Sequence, residues 1–300
     1  MHTKQTYTYK IVADCEIQVD VYRPSDKTLR PAIFWLHGGA LIFGSRETLI
    51  EAQLTTYLEA GYVVVAVDYR LAPEVKLEAI IEDIQDAYRW LRESGPDLFQ
   101  IDPGRIAVIG HSAGGYLTLM SGFCVQPSPR ALVSFYGYGD IIGDWYSQPD
   151  QFYRQEPLVP AQEAYSNVGD GVITGTCFEG TLVEKRFRFY LYCRQNGLWP
   201  LEVGGHDPLR EADWFTRFCP VQNVTPEYPP TLLLHGDQDT DVPVQQSILM
   251  SKALERQDVQ HELHILPDQP HGFDGKGLDD PVVARVFGQV IEFLEKHVMS

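Results

Sequence analysis

Residues 108–117, VIGHSAGGYL, place one serine, Ser112, between glycines, with an apolar run on each side. The preceding RIAVIG is typical of a buried strand, and the following GGYLTLMSGF is typical of a helix. A residue at a sharp strand-to-helix turn adopts strained dihedral angles, and its neighbours must be small. The pattern therefore predicts that Ser112 presents its hydroxyl on such a turn, as a nucleophile does. An ordinary turn serine is the alternative.

Buried strands and helices alternate on both sides of this turn. The runs YKIV and EIQVDVY predict an opening hairpin, and PAIFWLH, YVVVAVDY, ALVSFYG and TLLLHG are continuous apolar runs typical of strands buried on both faces. Between them, helical patterns are predicted to end at Gly61 and Gly95. This order predicts an α/β fold, with a mostly parallel sheet covered by helices on both faces.

The alternation stops near Gly139 and resumes near Tyr228, and the residues between are rich in aromatic side chains. We therefore predict a core formed by residues 1–139 and 226–300, with an inserted lid at residues 140–225. Both ends of the insertion would lie at the carboxyl edge of the sheet, where open α/β folds bind ligands. A helical elaboration that only thickens the core is the alternative.

Composition excludes several classes of protein. The 300 residues are 44% hydrophobic, which suffices for a large core, and the net charge of −17 argues against nucleic acid or an anionic membrane as a partner. The sequence contains no run of about 18 apolar residues, so no membrane span is predicted. The amino-terminal residues lack the pattern of a signal peptide, so a cytoplasmic protein is expected. The five cysteines show no zinc-binding spacing, and no metal is expected.

A serine nucleophile needs a base, and the chain contains nine histidines. His271 is best placed, because it follows the last predicted strand in the loop QPHGF and such loops project into the site. His206, in GGHDP within the insertion, is a weaker rival.

The base in turn needs a carboxylate to orient it. The stretch HGDQDTDVP offers Asp237, Asp239 and Asp241 just beyond a buried strand. The alternation of side chains along an extended chain does not distinguish these three aspartates, because all three have odd numbers and would point to the same side.

The oxyanion formed by nucleophilic attack needs hydrogen-bond donors. The stretch LHGGALIFG follows the strand PAIFWL, so its backbone amides can face the site. The amides of Gly39, Ala40 and Ala113 are the predicted donors. A plain turn at the end of the strand is the alternative reading of the two glycines at positions 38 and 39.

Five motifs occur in one order along the chain: HGGA at 37–40, DYRLAPE at 68–74, GHSAGG at 110–115, HGDQDTDVP at 235–243 and PHGF at 270–273. Together they resemble the esterases and lipases of the α/β-hydrolase superfamily, near the hormone-sensitive-lipase-like and feruloyl-esterase-like carboxylesterases. The resemblance implies an α/β-hydrolase fold, Ser112 as nucleophile, His271 as base and Asp239 as the acid. It also implies oxyanion donors at Gly39, Ala40 and Ala113. Ala40 departs from the usual HGGG.

The resemblance implies a serine carboxylesterase that works through an acyl-enzyme. The aromatic residues of the insertion indicate a restricted apolar pocket, which suits short- to medium-chain or aryl esters. A small-molecule ester would be its partner, and no metal or organic cofactor is implied. Two alternatives are a serine peptidase of the prolyl-oligopeptidase-like branch and a non-catalytic protein that binds small ligands. The sequence does not indicate the oligomeric state.

Overall fold

Eight strands form one sheet in the computed structural model, which describes residues 2–177 and 182–299. The strands are β1 His2–Val12, β2 Cys15–Pro24, β3 Arg30–Leu36, β4 Val63–Val67, β5 Ile101–His111, β6 Ala131–Phe135, β7 Thr231–Gly236 and β8 His261–Leu266. Their order across the sheet is β1-β2-β4-β3-β5-β6-β7-β8. The first two form the predicted hairpin and pair antiparallel, as do β2 and β4, and all later pairs are parallel.

Helices connect the parallel strands, and the last helix follows β8. They are α1 Glu51–Glu59, α2 Leu77–Phe99, α3 Ala113–Cys124, α4 Asp144–Ser147, α5 Ala161–Ala164, α6 Leu182–Asn196, α7 Trp199–Gly204, α8 Ala212–Phe215, α9 Gln245–Arg256 and α10 Pro281–Leu294. The residues that the structure describes include no helix both long and apolar enough to cross a bilayer.

The helix α2 does not end at Gly95, so that prediction was wrong. It continues through Pro96 to Phe99, whose side chain is 1% exposed and lies against the rings of Tyr7 and Trp90. Burial of this aromatic ring favours the extra turn over the stop that a glycine and a proline predict. At Gly61, by contrast, the backbone turns to a φ of 91° just after α1, as predicted.

Both faces of the sheet are covered, which confirms the predicted α/β architecture. On one face the buried side chains of α2 and α3, such as Ile80 and Leu117, pack with those of the sheet. On the other face α1 and α10 contribute Tyr57 and Phe287 to a second cluster. Double coverage explains why β4 is apolar throughout, since all five of its residues are buried.

Residues 140–225, which we call the connection, join β6 to β7. Their described part contains helices α4–α8 and no strand. Trp199 and Phe215 are fully buried in the same hydrophobic cluster as α2 and α3, so the connection shares the core of the sheet. The division into a core and an inserted lid stays a prediction.

The contact between α3 and the sheet can be tested with one glycine. A Cβ at Gly114 would lie 2.1 Å from the carbonyl oxygen of Leu36, which is backbone and has no room to retreat. We expect Gly114→Ala to lower the free energy of unfolding by about 2 kcal/mol or more, measured by urea denaturation. Gly288, exposed in α10 with nothing within 4 Å of its Cβ position, is the matched control. Gly288→Ala should instead stabilise the protein by up to about 1 kcal/mol, and equal effects would contradict the proposed contact.

Candidate active site

Ser112 lies at the turn between β5 and α3, with φ 56° and ψ −116°. This positive φ is a strained conformation for a residue with a side chain. The Ser112 amide donates to the carbonyl of Phe135 on β6 at 2.9 Å, which fixes the turn against the neighbouring strand. A Cβ at Gly110 would lie 2.2 Å from the carbonyl oxygen of Gly114, so the turn closes only because position 110 lacks a side chain.

His271 and Asp239 meet at the carboxyl edge of the sheet, in the loops that follow β8 and β7. His271 Nδ1 lies 2.7 Å from Asp239 Oδ2. Since a carboxylate only accepts, Nδ1 carries the proton and Nε2 of the neutral ring is free to act as a base. The other oxygen of Asp239 accepts from the amides of Asp241 at 2.9 Å and Val242 at 2.8 Å. The carboxylate is thereby held towards the imidazole.

The electrostatics of this pair favour a charged carboxylate. Burial of Asp239 opposes its ionisation, but hydrogen bonds from His235 and His271 outweigh burial and lower the pKa of Asp239. Burial also disfavours a charged imidazole at His271, but the negative charges of Asp241 and Asp239 outweigh it and raise the pKa of His271. The site therefore stabilises an imidazolium, the form that appears when the base takes a proton.

A cavity of about 330 Å³ brings the predicted residues together. Ser112, His271, Gly39 and Ala40 all line it. Its other walls are mostly apolar, and they include Phe43, Phe187 and Tyr190. The described residues include no hydrogen bond between the side chains of Ser112 and His271. Such bonds are often long without substrate and shorten in the complex, so shared access to one cavity is the relevant geometry.

The loop after β3 holds its amides by fixing the carbonyls that precede them. His37 Nδ1 lies 2.7 Å from the carbonyl oxygen of Gly38, which only accepts, so the ring is the donor. The carbonyl of Gly39 accepts from the amides of Ile42 at 2.8 Å and Phe43 at 2.9 Å. In a trans peptide the N–H points opposite to the C=O, so these bonds also set the directions of the Gly39 and Ala40 amides.

None of the described hydrogen bonds is donated by the amide of Gly39, Ala40 or Ala113. Ala113 is the first residue of α3, where a helix leaves its amides without an internal partner. Three unused donors near Ser112 are what an oxyanion requires.

The connection also holds this loop in place. Gly39, Ala40 and Leu41 all have positive φ, at 106°, 56° and 63°, which is unfavourable for the two residues with side chains. The indole N–H of Trp199 in α7 donates to the carbonyl of Ala40 at 2.9 Å, and Arg186 Nε in α6 donates to the carbonyl of Ile42 at 3.0 Å. The strained loop is therefore fixed from the side of the connection.

Two of the other candidates, Asp237 and His206, lie elsewhere. Asp237 accepts from the amide of Asp268 at 2.8 Å and does not contact His271. His206 lies 2.9 Å from Glu211 and stacks on Trp214, and it does not line the cavity. Asp241 does reach His271, with Oδ2 3.5 Å from Nε2. Sequence reasoning missed that contact and the role of His37, because neither a ring nitrogen's partner nor a carboxylate's direction follows from spacing.

Comparison with known proteins agrees with the observed fold. A family described as the α/β hydrolase fold matches residues 33–167, and the prolyl oligopeptidase family matches residues 197–299. An α/β-hydrolase superfamily protein from Enterococcus faecalis superposes with a TM-score of 0.76 at 23% identity, over 99% of this chain and 100% of that one. The chain has the α/β-hydrolase fold.

Two further relatives bear on chemistry. A thermophilic esterase from Thermogutta terrifontis, solved with propionate bound, superposes with a TM-score of 0.67 at 21% identity, over 98% of this chain and 94% of that one. A non-reducing polyketide synthase from Penicillium rubens is 26% identical over 98% of this chain but only 14% of the synthase. The chain spans 12 to 14% of the length of the first curated relatives it matches.

The role of His37 can be tested by removing its donor while keeping its ring. Burial lowers the pKa of His37, so the ring stays neutral near pH 7. The ring also stacks on that of Tyr69, with the two centroids 4.1 Å apart. We expect His37→Phe to keep the stack, to release the carbonyl of Gly38 and to reduce kcat on a p-nitrophenyl ester about tenfold or more, with a smaller change in KM. His206→Phe is the matched control and should leave kcat unchanged. An equal loss in both variants would argue against a directed amide.

Proposed function

We propose that the protein is a serine carboxylesterase acting on esters with short acyl or aryl groups. The observation that carries this proposal is the 2.7 Å contact of His271 with the buried Asp239, beside a cavity that both His271 and Ser112 line. The chain order Ser112, Asp239, His271 is the order of the α/β-hydrolase triad. The named esterase activity and bound propionate of the Thermogutta relative support a short acyl group.

In the proposed mechanism His271 Nε2 takes the proton of Ser112 Oγ, and the oxygen attacks the ester carbonyl. The amides of Gly39, Ala40 and Ala113 stabilise the oxyanion, while Asp239 stabilises the imidazolium. Collapse of the intermediate breaks the bond to the leaving oxygen, which receives the proton from Nε2 and departs as the alcohol. A water molecule activated by the same imidazole then releases the acid and regenerates Ser112.

The cavity limits the acyl group. A volume of about 330 Å³ lies at the small end of ligand sites, and the apolar walls of Phe43, Phe187 and Tyr190 favour uncharged groups. Asp241 at the same cavity disfavours acyl groups that carry a carboxylate.

A second candidate function is hydrolysis of acyl thioesters. The similarity to polyketide synthases over nearly the whole chain is the observation that favours it. The same serine chemistry cleaves both bonds, and the leaving atom is then sulfur. The match of residues 197–299 to the prolyl oligopeptidase family keeps peptide cleavage as a third candidate.

The nucleophile is tested with Ser112→Ala. We expect the variant to fold as the wild type does and to lose a factor of about 10³ or more in kcat on p-nitrophenyl acetate, because residual catalysis would depend on the oxyanion donors alone. A fluorophosphonate should label the wild type and fail to label the variant. Ser121, buried in α3 with its hydroxyl bonded to the carbonyl of Leu117, provides the control Ser121→Ala, which should retain both labelling and activity.

Substrate class is tested by comparing matched compounds on the wild type. Rates are measured for p-nitrophenyl esters from acetate to decanoate, for N-acetylcysteamine thioesters with the same acyl groups, and for peptide chromogens. We expect kcat/KM to be highest for short acyl groups, to fall with chain length as the cavity is filled, and to be lowest for peptides. Faster cleavage of each thioester than of its oxygen ester would replace the first candidate with the second. An absence of turnover and labelling would support the non-catalytic alternative.

A further inference from the structure

Asp241 places a second carboxylate at the imidazole of His271. Its Oδ2 lies 3.5 Å from Nε2, the nitrogen that the proposed mechanism uses to exchange a proton with Ser112. Asp239 is bound at the other ring nitrogen, at 2.7 Å. Asp241 also lines the cavity that contains both His271 and Ser112. The imidazole therefore has a carboxylate at each of its nitrogens.

Residues of the connection hold Asp241 in this orientation. Its Oδ1 accepts from the hydroxyls of Tyr153, at 2.9 Å, and Tyr190, and from Nη1 of Arg194 at 2.7 Å. Arg194 Nη1 also donates to the Asp241 carbonyl at 2.9 Å. Three donors on one oxygen resist rotation of the carboxylate, and they leave the other oxygen facing the imidazole.

Arg194 is itself fixed in place. Its side chain is 1% exposed and pairs with Asp150 as well as with Asp241. Four aromatic rings of the connection have their centroids within 5.7 Å of its guanidinium carbon, and they are those of Trp145, Tyr146, Tyr153 and Tyr190. A guanidinium enclosed in this way stays charged and has little freedom to move.

The charges around His271 favour its cationic form. The titratable and charged groups that face it, or that bind a carboxylate facing it, are Asp239, Asp241, Asp274, His111, His235, Tyr136, Tyr190 and Arg194. Of these, the three carboxylates attract an imidazolium, and Arg194 lies behind Asp241 on its far oxygen. Burial opposes the charge on His271, but the charge of Asp241, together with the hydrogen bond and the charge of Asp239, raises its pKa.

We propose that Asp241 is a positioning residue that stabilises the imidazolium of His271 from the Nε2 side, and that the connection, through Arg194, thereby sets the protonation of the general base. This inference rests on the proposed function for its kinetic consequence. Its consequence for the titration of His271 is independent of any turnover. Below the pKa of His271 the ring is protonated and does not accept the proton of Ser112, so the acid limb of the pH–rate profile should report this contact.

The proposal is tested with Asp241→Asn, which keeps the shape and removes the charge. The acid limb of kcat/KM on p-nitrophenyl acetate should move to lower pH by about one unit, and the plateau of kcat should fall by up to about tenfold, because the imidazolium loses its second carboxylate. Asp241→Glu restores a carboxylate and should move the limb back towards the wild-type pH. Asp237→Asn is the control, since Asp237 lies on the same loop, does not contact His271 and should leave the limb unchanged.

The titration of His271 is also measured directly, by NMR of its ring in the Ser112→Ala background, with His271→Gln used to assign the signal. Adding Asp241→Asn should lower the titration midpoint by about one unit, whether or not the protein cleaves esters. An unchanged midpoint in a folded Asp241→Asn variant overturns the proposal, even if Ser112 proves to be the nucleophile. Full ester hydrolysis by Ser112→Ala would instead refute the proposed function and leave the NMR result to decide this inference.

A variant that fails to fold still leaves a decisive measurement. With Asp241 intact, the proposal requires His271 to titrate above the ordinary histidine value of about 6.5. A midpoint at or below that value in the Ser112→Ala protein would overturn it.

Discussion

The site depends on one backbone contact, the direct packing of the first turn of α3 against the ends of β3 and β5. No side chain fits at Gly110 or Gly114, because a Cβ there would lie 2.2 Å from the carbonyl oxygen of Gly114 and 2.1 Å from that of Leu36, respectively. This contact forces Ser112 into its positive φ and places it beside the loop after β3. A Cβ at Gly38 would lie 3.4 Å from the Cβ of Ser112. The nucleophile and the oxyanion donors are thus positioned by the same close approach.

The acid and base are positioned by a different kind of interaction. The loops after β7 and β8 are held by hydrogen bonds to charged groups. Asp239 accepts hydrogen bonds from two backbone amides and contacts His271. Asp241 accepts a hydrogen bond from Arg194 of the connection. Backbone packing fixes one half of the site, and buried charge fixes the other. The two halves meet at a single cavity because the carboxyl ends of all the parallel strands lie at one edge of the sheet.

Much of this arrangement could be predicted from sequence, because it follows from where strands end. The ends of the predicted strands suffice to predict Ser112 and His271 as site residues, and both line the cavity in the structure. The choice among Asp237, Asp239 and Asp241 could not be made from alternation, because it depends on side-chain direction within a turn. The continuation of α2 past Gly95 was missed because burial of Phe99 outweighs local propensity. The pairing of Arg194 with the carboxylate of Asp241 could not be predicted either, because the two residues are 47 positions apart in the sequence.

The ion pair between Arg186 of α6 and Glu74 has a consequence for how a substrate enters. Their side chains are 1% and 2% exposed and lie 2.7 Å apart. Lifting the connection away from the sheet would break this charge-assisted pair and the hydrogen bonds that Arg186 donates to the carbonyls of Ile42 and Ala72, which is costly. We therefore expect substrate to enter the cavity, and product to leave it, through rotation of individual side chains at its mouth. Phe187 is 41% exposed at the cavity wall, and we expect its rotation to open the cavity while the surrounding backbone stays in place.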